Sequence, residues 1–209
     1  FILARCTPND VPQMVSVYLS AFIDTKFNWW WSPTLDAMRR WTERRFVGKF
    51  AEPSAHHFKV VDTETGKLIA WSRWNVPKDM KGMAVGFQTY GEETKEDLGI
   101  PEGADERLHH EFFDGIHRMS AKWRASEKLG LSVLCTDPAY HRRGAAKALI
   151  GAVLPIADAE GCTTYLEALE NATAVYELYG FKTVDELEYD LTKAGREGKA
   201  RINIMLREP

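Results

Sequence analysis

The stretch that most restricts the fold of this chain is residues 131–161, LSVLCTDPAYHRRGAAKALIGAVLPIADAEG. An apolar, partly β-branched run over 131–136 reads as a strand. It meets Asp137-Pro138, where proline withholds a main-chain donor and disfavours helical geometry in the residue before it. The chain then turns through Tyr140, His141, Arg142, Arg143 and Gly144. A helix is expected over 145–160, with Ala146, Leu149, Ile150, Val153 and Ala157 on one face. A strand delivered straight to a helix start puts unsatisfied N–H groups and the positive end of the helix dipole at the strand's end. Gly144, Ala145 and Ala146 leave room for a bulky anion to reach the main chain, and Arg142 and Arg143 add guanidinium donors. Taken alone, these residues fit two readings equally: a diphosphate cradle, or a solvated turn that merely starts a helix. The chain has neither GxxxxGK[ST] nor GxGxxG, so the turn is not a Walker loop or a dinucleotide fingerprint.

The rest of the chain alternates helices and strands. Val11, Met14, Val15, Tyr18, Leu19 and Phe22 recur at helical spacing after Thr7-Pro8-Asn9-Asp10. A second helix is expected over 34–50, with Ser32 as its cap and Pro33 in its first turn. Residues 58–62 and 67–74 read as a β-hairpin around Thr63-Glu64-Thr65-Gly66. Residues 75–130 read as an insertion, loop-like at first and helical over 107–128, and serve either as a substrate-side wall or lid or as plain packing. Strands at 163–169, 182–191 and 200–206 and a helix at 172–179 complete the pattern. No repeat or linker divides it, so 1–209 reads as one mixed α/β domain.

Bulk properties narrow the function. The 209 residues are 44% hydrophobic and include 7 Trp, 7 Tyr and 10 Phe, too much buriable surface for a disordered chain. A formal charge of -3 gives no field suited to bulk nucleic-acid binding. No apolar run is long enough to span a bilayer, and FILARCTPND turns polar too soon for a secretory signal. The three cysteines, Cys6, Cys135 and Cys162, lack CxxC spacing and cannot all pair within one chain, which suits free thiols in a reducing cytoplasm.

With these residues in view, the segment resembles the coenzyme-binding signature of the GCN5-related N-acetyltransferases (GNAT). In that family a strand, a proline turn and Gln/Arg-x-x-Gly-x-Gly/Ala open the helix that holds the coenzyme A pyrophosphate. Here the signature is His141-Arg142-Arg143-Gly144-Ala145-Ala146, departing from the family at His141. Residues 165–191, YLEALENATAVYELYGFKTVDELEYDL, resemble the family's next strand, helix and Tyr-x-x-x-Gly-Phe corner, with Tyr176 and Gly180-Phe181 in place. The resemblance implies a GNAT fold: a mixed central sheet splayed between its two central strands, flanked by helices, with a helical insertion ahead of the coenzyme-binding strand. It further implies that main-chain groups of Val133, Leu134 and Cys135 pair with the pantetheine arm of acetyl-CoA, an opened strand edge serving it as it would an added strand.

The implied reaction is direct acyl transfer from a thioester to an amine in a ternary complex. The amine must shed a proton, and the departing thiolate gains from receiving one. Tyr176 matches the family's proton donor, with packing of its helix as the structural alternative. Glu167 is the candidate base. It shares a strand face with Tyr165 and Leu169, where desolvation would raise its pKa, and it resembles a glutamate some relatives use. A salt-bridged or edge-exposed Glu167 is equally consistent. Asn171 reads as a helix cap. Trp29, Trp30 and Trp31 form a triple that would either receive an aromatic or cationic acceptor or pack the N-terminal helices.

His110, Asp114 and His117 share a helix face but lack further ligands, so no metal is expected, and Cys135 has no partners of a covalent nucleophile. The sequence-based expectation is an acetyl-CoA-dependent acyltransferase acting on a small-molecule amine, without nucleic-acid or membrane partners, as a monomer or homodimer. A protein-amine acetyltransferase and a noncatalytic acyl-CoA-binding module are the alternatives.

Overall fold

The computed structural model describes residues 1–80, 82 and 98–209. Residues 81 and 83–97, which include part of the expected 75–130 insertion, lie outside the described residues, and with them part of the expected lid. A seven-stranded sheet runs β1 (Ile2–Arg5), β2 (Ala55–Val61), β3 (Leu68–Asn75), β4 (Leu129–Thr136) and β5 (Thr164–Leu169), then β7 (Lys199–Arg207) and β6 (Lys182–Asp190) at its far edge. β4 and β5 are parallel; every other neighbouring pair is antiparallel.

The helices divide between the two faces because strand side chains alternate. Helices α1 (Val11–Phe22), α2 (Leu35–Phe50) and α3 (Glu106–Lys122) share a core with Trp71, Tyr165 and Ile204. Helices α4 (Ala145–Gly151), α5 (Leu154–Ala159) and α6 (Thr173–Glu177) lie over the opposite face. Their core partners there are Leu166 and Met205, of the other parity, and Leu131, with Val60 and Ile69 beneath the start of α4. In α1 the expected stripe of Val11, Met14, Val15, Tyr18 and Leu19 is buried.

Several element bounds differ from the sequence-based expectation, for identifiable reasons. The helix expected over 145–160 is two, broken around Ala152 and Val153, with Pro155 in the first turn of α5. Proline cannot donate to the preceding turn and fits a new helix start instead. The helix expected over 107–128 ends at Lys122. Arg124 takes a left-handed conformation at φ 50, and a single 3-10 turn, Ala125–Glu127, leads into β4. Ser32 is not the cap of α2; Thr34 holds that position. The Ser32 hydroxyl instead donates to the Glu102 carbonyl at 2.6 Å and accepts from the Thr34 N–H at 3.3 Å. Asn171 is not a cap either. It lies in the 3-10 turn Glu170–Ala172, and Ala172 precedes the short α6.

Candidate active site

The site begins with a failure of strand pairing. β4 and β5 pair at Leu129↔Thr164, Gly130↔Tyr165 and Leu131↔Leu166, and no further. Beyond Leu131 the strands part, and among the described residues no strand pairs with the β5-facing edge of residues 132–136. On its other side β4 remains paired to β3 through Thr136, with a register shift between Arg73↔Val133 and Trp74↔Leu131 that leaves Ser132 as the extra residue. A bulge of this kind bends and twists its strand, which turns β4 away from β5 at the point of parting.

The gap opens into a cleft of about 1140 Å³. Its β4 bank carries Val133, Leu134, Cys135 and Thr136, and its end is lined by His141, Arg142, Gly144, Ala145 and Ala146. Gly144 precedes α4 at φ 88, a conformation that disfavours any residue with a Cβ, and Arg142 sits at φ 63. Among the described residues, no main-chain bond outside the regular elements uses an N–H of residues 142–146 as its donor. The His141 ring folds back to within 3.1 Å of the Thr136 carbonyl. Arg143 is absent from the cleft lining; its guanidinium lies over the Tyr140 ring at 5.2 Å.

Glu167 and Tyr176 both line this cleft, from different elements. Glu167 accepts a hydrogen bond from the Tyr165 hydroxyl at 2.7 Å, the two side chains projecting from the same face of β5. Burial pushes the Glu167 carboxyl above its ordinary range, and the Tyr165 bond and the Arg73 charge restrain it. Tyr176 is 8% exposed and packs edge-on against Phe181 at 5.9 Å. Burial, with the nearby Cys135 thiol second, raises its phenol pKa, so it holds its proton firmly. Cys135 is itself driven upward by burial and remains a neutral thiol.

An aromatic wall of the cleft is built from Tyr18 and Phe22 of α1, Phe27, and Phe112 and Phe113 of α3. The tryptophan triple is absent from this wall. Trp30 is 1% exposed and stacks on Phe112 at 4.9 Å and 17°, locked between α2 and α3. Trp31 stacks on Tyr18 at 6.0 Å. Trp29 lines a neighbouring chamber of about 340 Å³ that shares Phe27, Leu169, Asn171 and Ile202 with the main cleft. Trp30 and Trp31 thus pack against neighbouring rings, and Trp29 faces a chamber beside the cleft.

Two cleft residues escaped the sequence reading. Arg73 lies in β3 within LIAWSRWN, a strand buried everywhere except at Asn75. A lone charge in an apolar strand was its only signal. Tyr165 was placed on the Glu167 face, but its hydroxyl was given no role. Among the described residues, no group of three or more His, Cys, Asp or Glu side chains is arranged to hold a metal ion, and no helix is long and apolar enough to cross a membrane.

A family model described as Acetyltransferase (GNAT) family matches residues 22–181. The chain belongs to the GNAT family. It is an acyltransferase, and the family draws its acyl group from acetyl-CoA. Solved structures agree on the GNAT fold at low identity. The C-terminal condensation domain of Ebony in complex with beta-alanyl-dopamine is 12% identical, with TM-score 0.66 over 100% of this chain and 98% of that one. A histone acetyltransferase HPA2 and related acetyltransferase from Corynebacterium glutamicum is 19% identical, with TM-score 0.61 over 99% of this chain and 95% of that one. The PaiA N-acetyltransferase of Thermoplasma acidophilum, in complex with coenzyme A, is 11% identical, with TM-score 0.55 over 100% of this chain and 98% of that one. A search of curated proteins finds no match to this sequence.

Proposed function

We propose that this GNAT protein is an acetyl-CoA-dependent N-acetyltransferase whose acceptor is a small-molecule amine. The observation that carries the reading is the pairing of β4 with β5 at three positions only, which leaves an open strand edge along a deep cleft. Such an edge suits an extended chain bearing amides, because it offers alternate N–H and C=O groups that no protein strand satisfies. The N–H groups of 142–146, without main-chain acceptors and flanked by Arg142, suit a pyrophosphate. Val133, Leu134 and Cys135 would hold the pantetheine arm, and His141, Arg142, Gly144, Ala145 and Ala146 the phosphates. Arg143 would add charge at the rim.

Acetyl-CoA, when bound, supplies the acetyl group as an activated thioester. The remaining work falls to the chain. Glu167, buried enough to favour a proton yet restrained by Tyr165 and Arg73, accepts one from the acceptor ammonium, directly or through water. The freed amine forms the new C–N bond as the C–S bond breaks, and the second proton shed by its nitrogen passes to solvent or back to the Tyr176 phenolate left after protonation of sulfur. Tyr176 keeps its proton at neutral pH and donates it to the leaving sulfur. The aromatic wall of Tyr18, Phe22, Phe27, Phe112 and Phe113 excludes water and favours a compact acceptor with an apolar body over an extended polypeptide.

The test is release of CoA thiol from acetyl-CoA across a panel of small amines and amine-bearing peptides. Turnover of small amines, with mass gain of one acetyl on the product, supports the reading. Binding of acetyl-CoA without thiol release from any acceptor would identify a noncatalytic acyl-CoA-binding module, and turnover confined to peptides would move the activity to protein amines.

A further inference from the structure

Arg73 is anomalous for its surroundings. It is 5% exposed in the middle of β3, and it lines the cleft. Its Nε and Nη1 atoms are buried with no hydrogen-bond partner among the described residues. A guanidinium has five donors and cannot shed its charge at physiological pH, so leaving it buried and unpaired is strongly unfavourable. The nearby carboxylates, Glu52 and Glu167, support its charge through space, but neither bonds its guanidinium among the described residues. Glu52 is committed to an ion pair with Lys49. Glu167 accepts from Tyr165 at 2.7 Å, and among the ion pairs of the described residues none joins it to Arg73. Arg45 lines the same cleft, held over Trp41 at 5.3 Å and Phe113 at 5.4 Å, and adds a second positive charge beside Arg73. Burial, with the Arg45 charge second, lowers the Arg73 pKa to about 10. The structure therefore holds a buried cation with two guanidinium nitrogens unbonded among the described residues, on the wall of an open cleft.

The position of Arg73 narrows what an anion bound there would belong to. Arg73 pairs with Val133 of β4, on the bank of the opened gap. Glu167 follows Leu166, the last β5 residue paired to β4, and so stands on the opposite bank. Both residues line the cleft on the side shared with Tyr18, Phe112 and Phe113. A base for an ammonium and an unpartnered fork for a carboxylate thus face one compartment with apolar walls.

We propose that the acceptor is an amino-acid-like molecule, carrying a carboxylate beside its amine, and that Arg73 binds the carboxylate through its planar fork while Arg45 adds positive field. This rests on the N-acetyltransferase reading and deepens it. Arginine suits the role because its fork matches a carboxylate with paired hydrogen bonds, whereas a lysine at the same place offers a point charge.

The experiment uses matched acceptors that differ only in the carboxylate, such as phenylalanine against phenethylamine and β-alanine against ethylamine, with CoA thiol release as the readout. In the unsubstituted protein, kcat/KM is expected to favour the carboxylated member of at least one pair by roughly tenfold to a hundredfold, the range of a charge-assisted hydrogen bond. In Arg73→Met that ratio collapses toward one, chiefly through KM, and Arg73→Lys recovers part of it. Decarboxylated amines turned over as well as or better than their partners by the unsubstituted protein would overturn the inference, whatever the fate of the variants. So would a preference that survives Arg73→Met. In both cases the acetyltransferase reading would stand; absence of thiol release with every acceptor would instead remove that reading and this inference together.

Discussion

The hydrogen bond from Tyr165 to Glu167 makes the base assignment testable by a change of one oxygen atom. Tyr165 is 4% exposed and its ring is packed in the core beneath α1 and α3, so Tyr165→Phe keeps the packing and deletes the hydroxyl that reaches Glu167 Oε1 at 2.7 Å. That hydroxyl stabilises the carboxylate, not the acid, so its removal makes Glu167 easier to protonate. If Glu167 must be ionised to accept the acceptor's proton, activity in the variant is lost at a higher pH than in the parent. A hydrogen bond to a charged group is worth about 1.5–3 kcal/mol, and 1.36 kcal/mol corresponds to one pH unit, so the acid limb of the activity profile should move up by about one to two units. Water admitted to the cleft would shift the result toward the lower figure. The assay is kcat/KM by thiol release from pH 5 to 9, with Glu167→Gln as the companion variant. Glu167→Gln should lower the plateau by roughly a hundredfold or more and erase the limb. An acid limb that stays in place in Tyr165→Phe, or survives in Glu167→Gln, would refute Glu167 as the base.

Tyr176→Phe should lower kcat by roughly a hundredfold to ten-thousandfold with little change in acetyl-CoA affinity, and an unchanged kcat across pH would remove its role as donor. Trp30→Ala removes a ring that is 1% exposed and stacked on Phe112, so about 3–5 kcal/mol of stability should be lost, lowering Tm by roughly 6–20 °C. A scanning-calorimetry Tm within a degree of the parent, with activity lost, would return Trp30 to the acceptor pocket. His57 stacks on Phe50 at 4.4 Å, and burial, with the Arg73 charge second, lowers its pKa from 6.5 to about 3. The folded state therefore disfavours protonation relative to the unfolded chain, so His57 contributes stability above pH 6.5 that drains away as pH falls toward 3. In His57→Phe, urea midpoints measured from pH 7 to 4 should decline less steeply than in the parent, and parallel curves would contradict the assignment.

Local signals decided most of the architecture. The strand, proline stop and glycine turn around Gly144 state their geometry in the sequence, because a positive φ and a missing donor are properties of single residues. The apolar stripe of α1 is equally local. The places that went astray were those where a single residue overrode a periodic pattern, as Pro155 split a helix that Leu149, Ile150, Val153 and Ala157 made look continuous. At Ser32 a partner 70 residues away, the Glu102 carbonyl, claimed the hydroxyl that a helix start would have used.

The aromatic wall of the cleft depended on contacts that no local pattern encodes. Residue types alone made the tryptophan triple an attractive binding surface, yet Trp30 lies beneath Phe112, which is far away in sequence. The wall that does line the cleft is assembled from α1, α3 and Phe27. Arg73 gave one hint, a charge within a run of apolar residues. Its meaning depended on finding Glu52 already held by Lys49 and Glu167 by Tyr165.

By itself, then, the amino-acid order determined the alternation of helices and strands and the anion-suited turn before α4, since both arise from backbone preferences and short-range periodicity. Only the folded chain decided where β4 and β5 part, which aromatic rings are spent on packing, and which charge is left without a partner. Those are properties of residues brought together across the sheet, and they follow from competition among distant groups for the same space and the same hydrogen bonds.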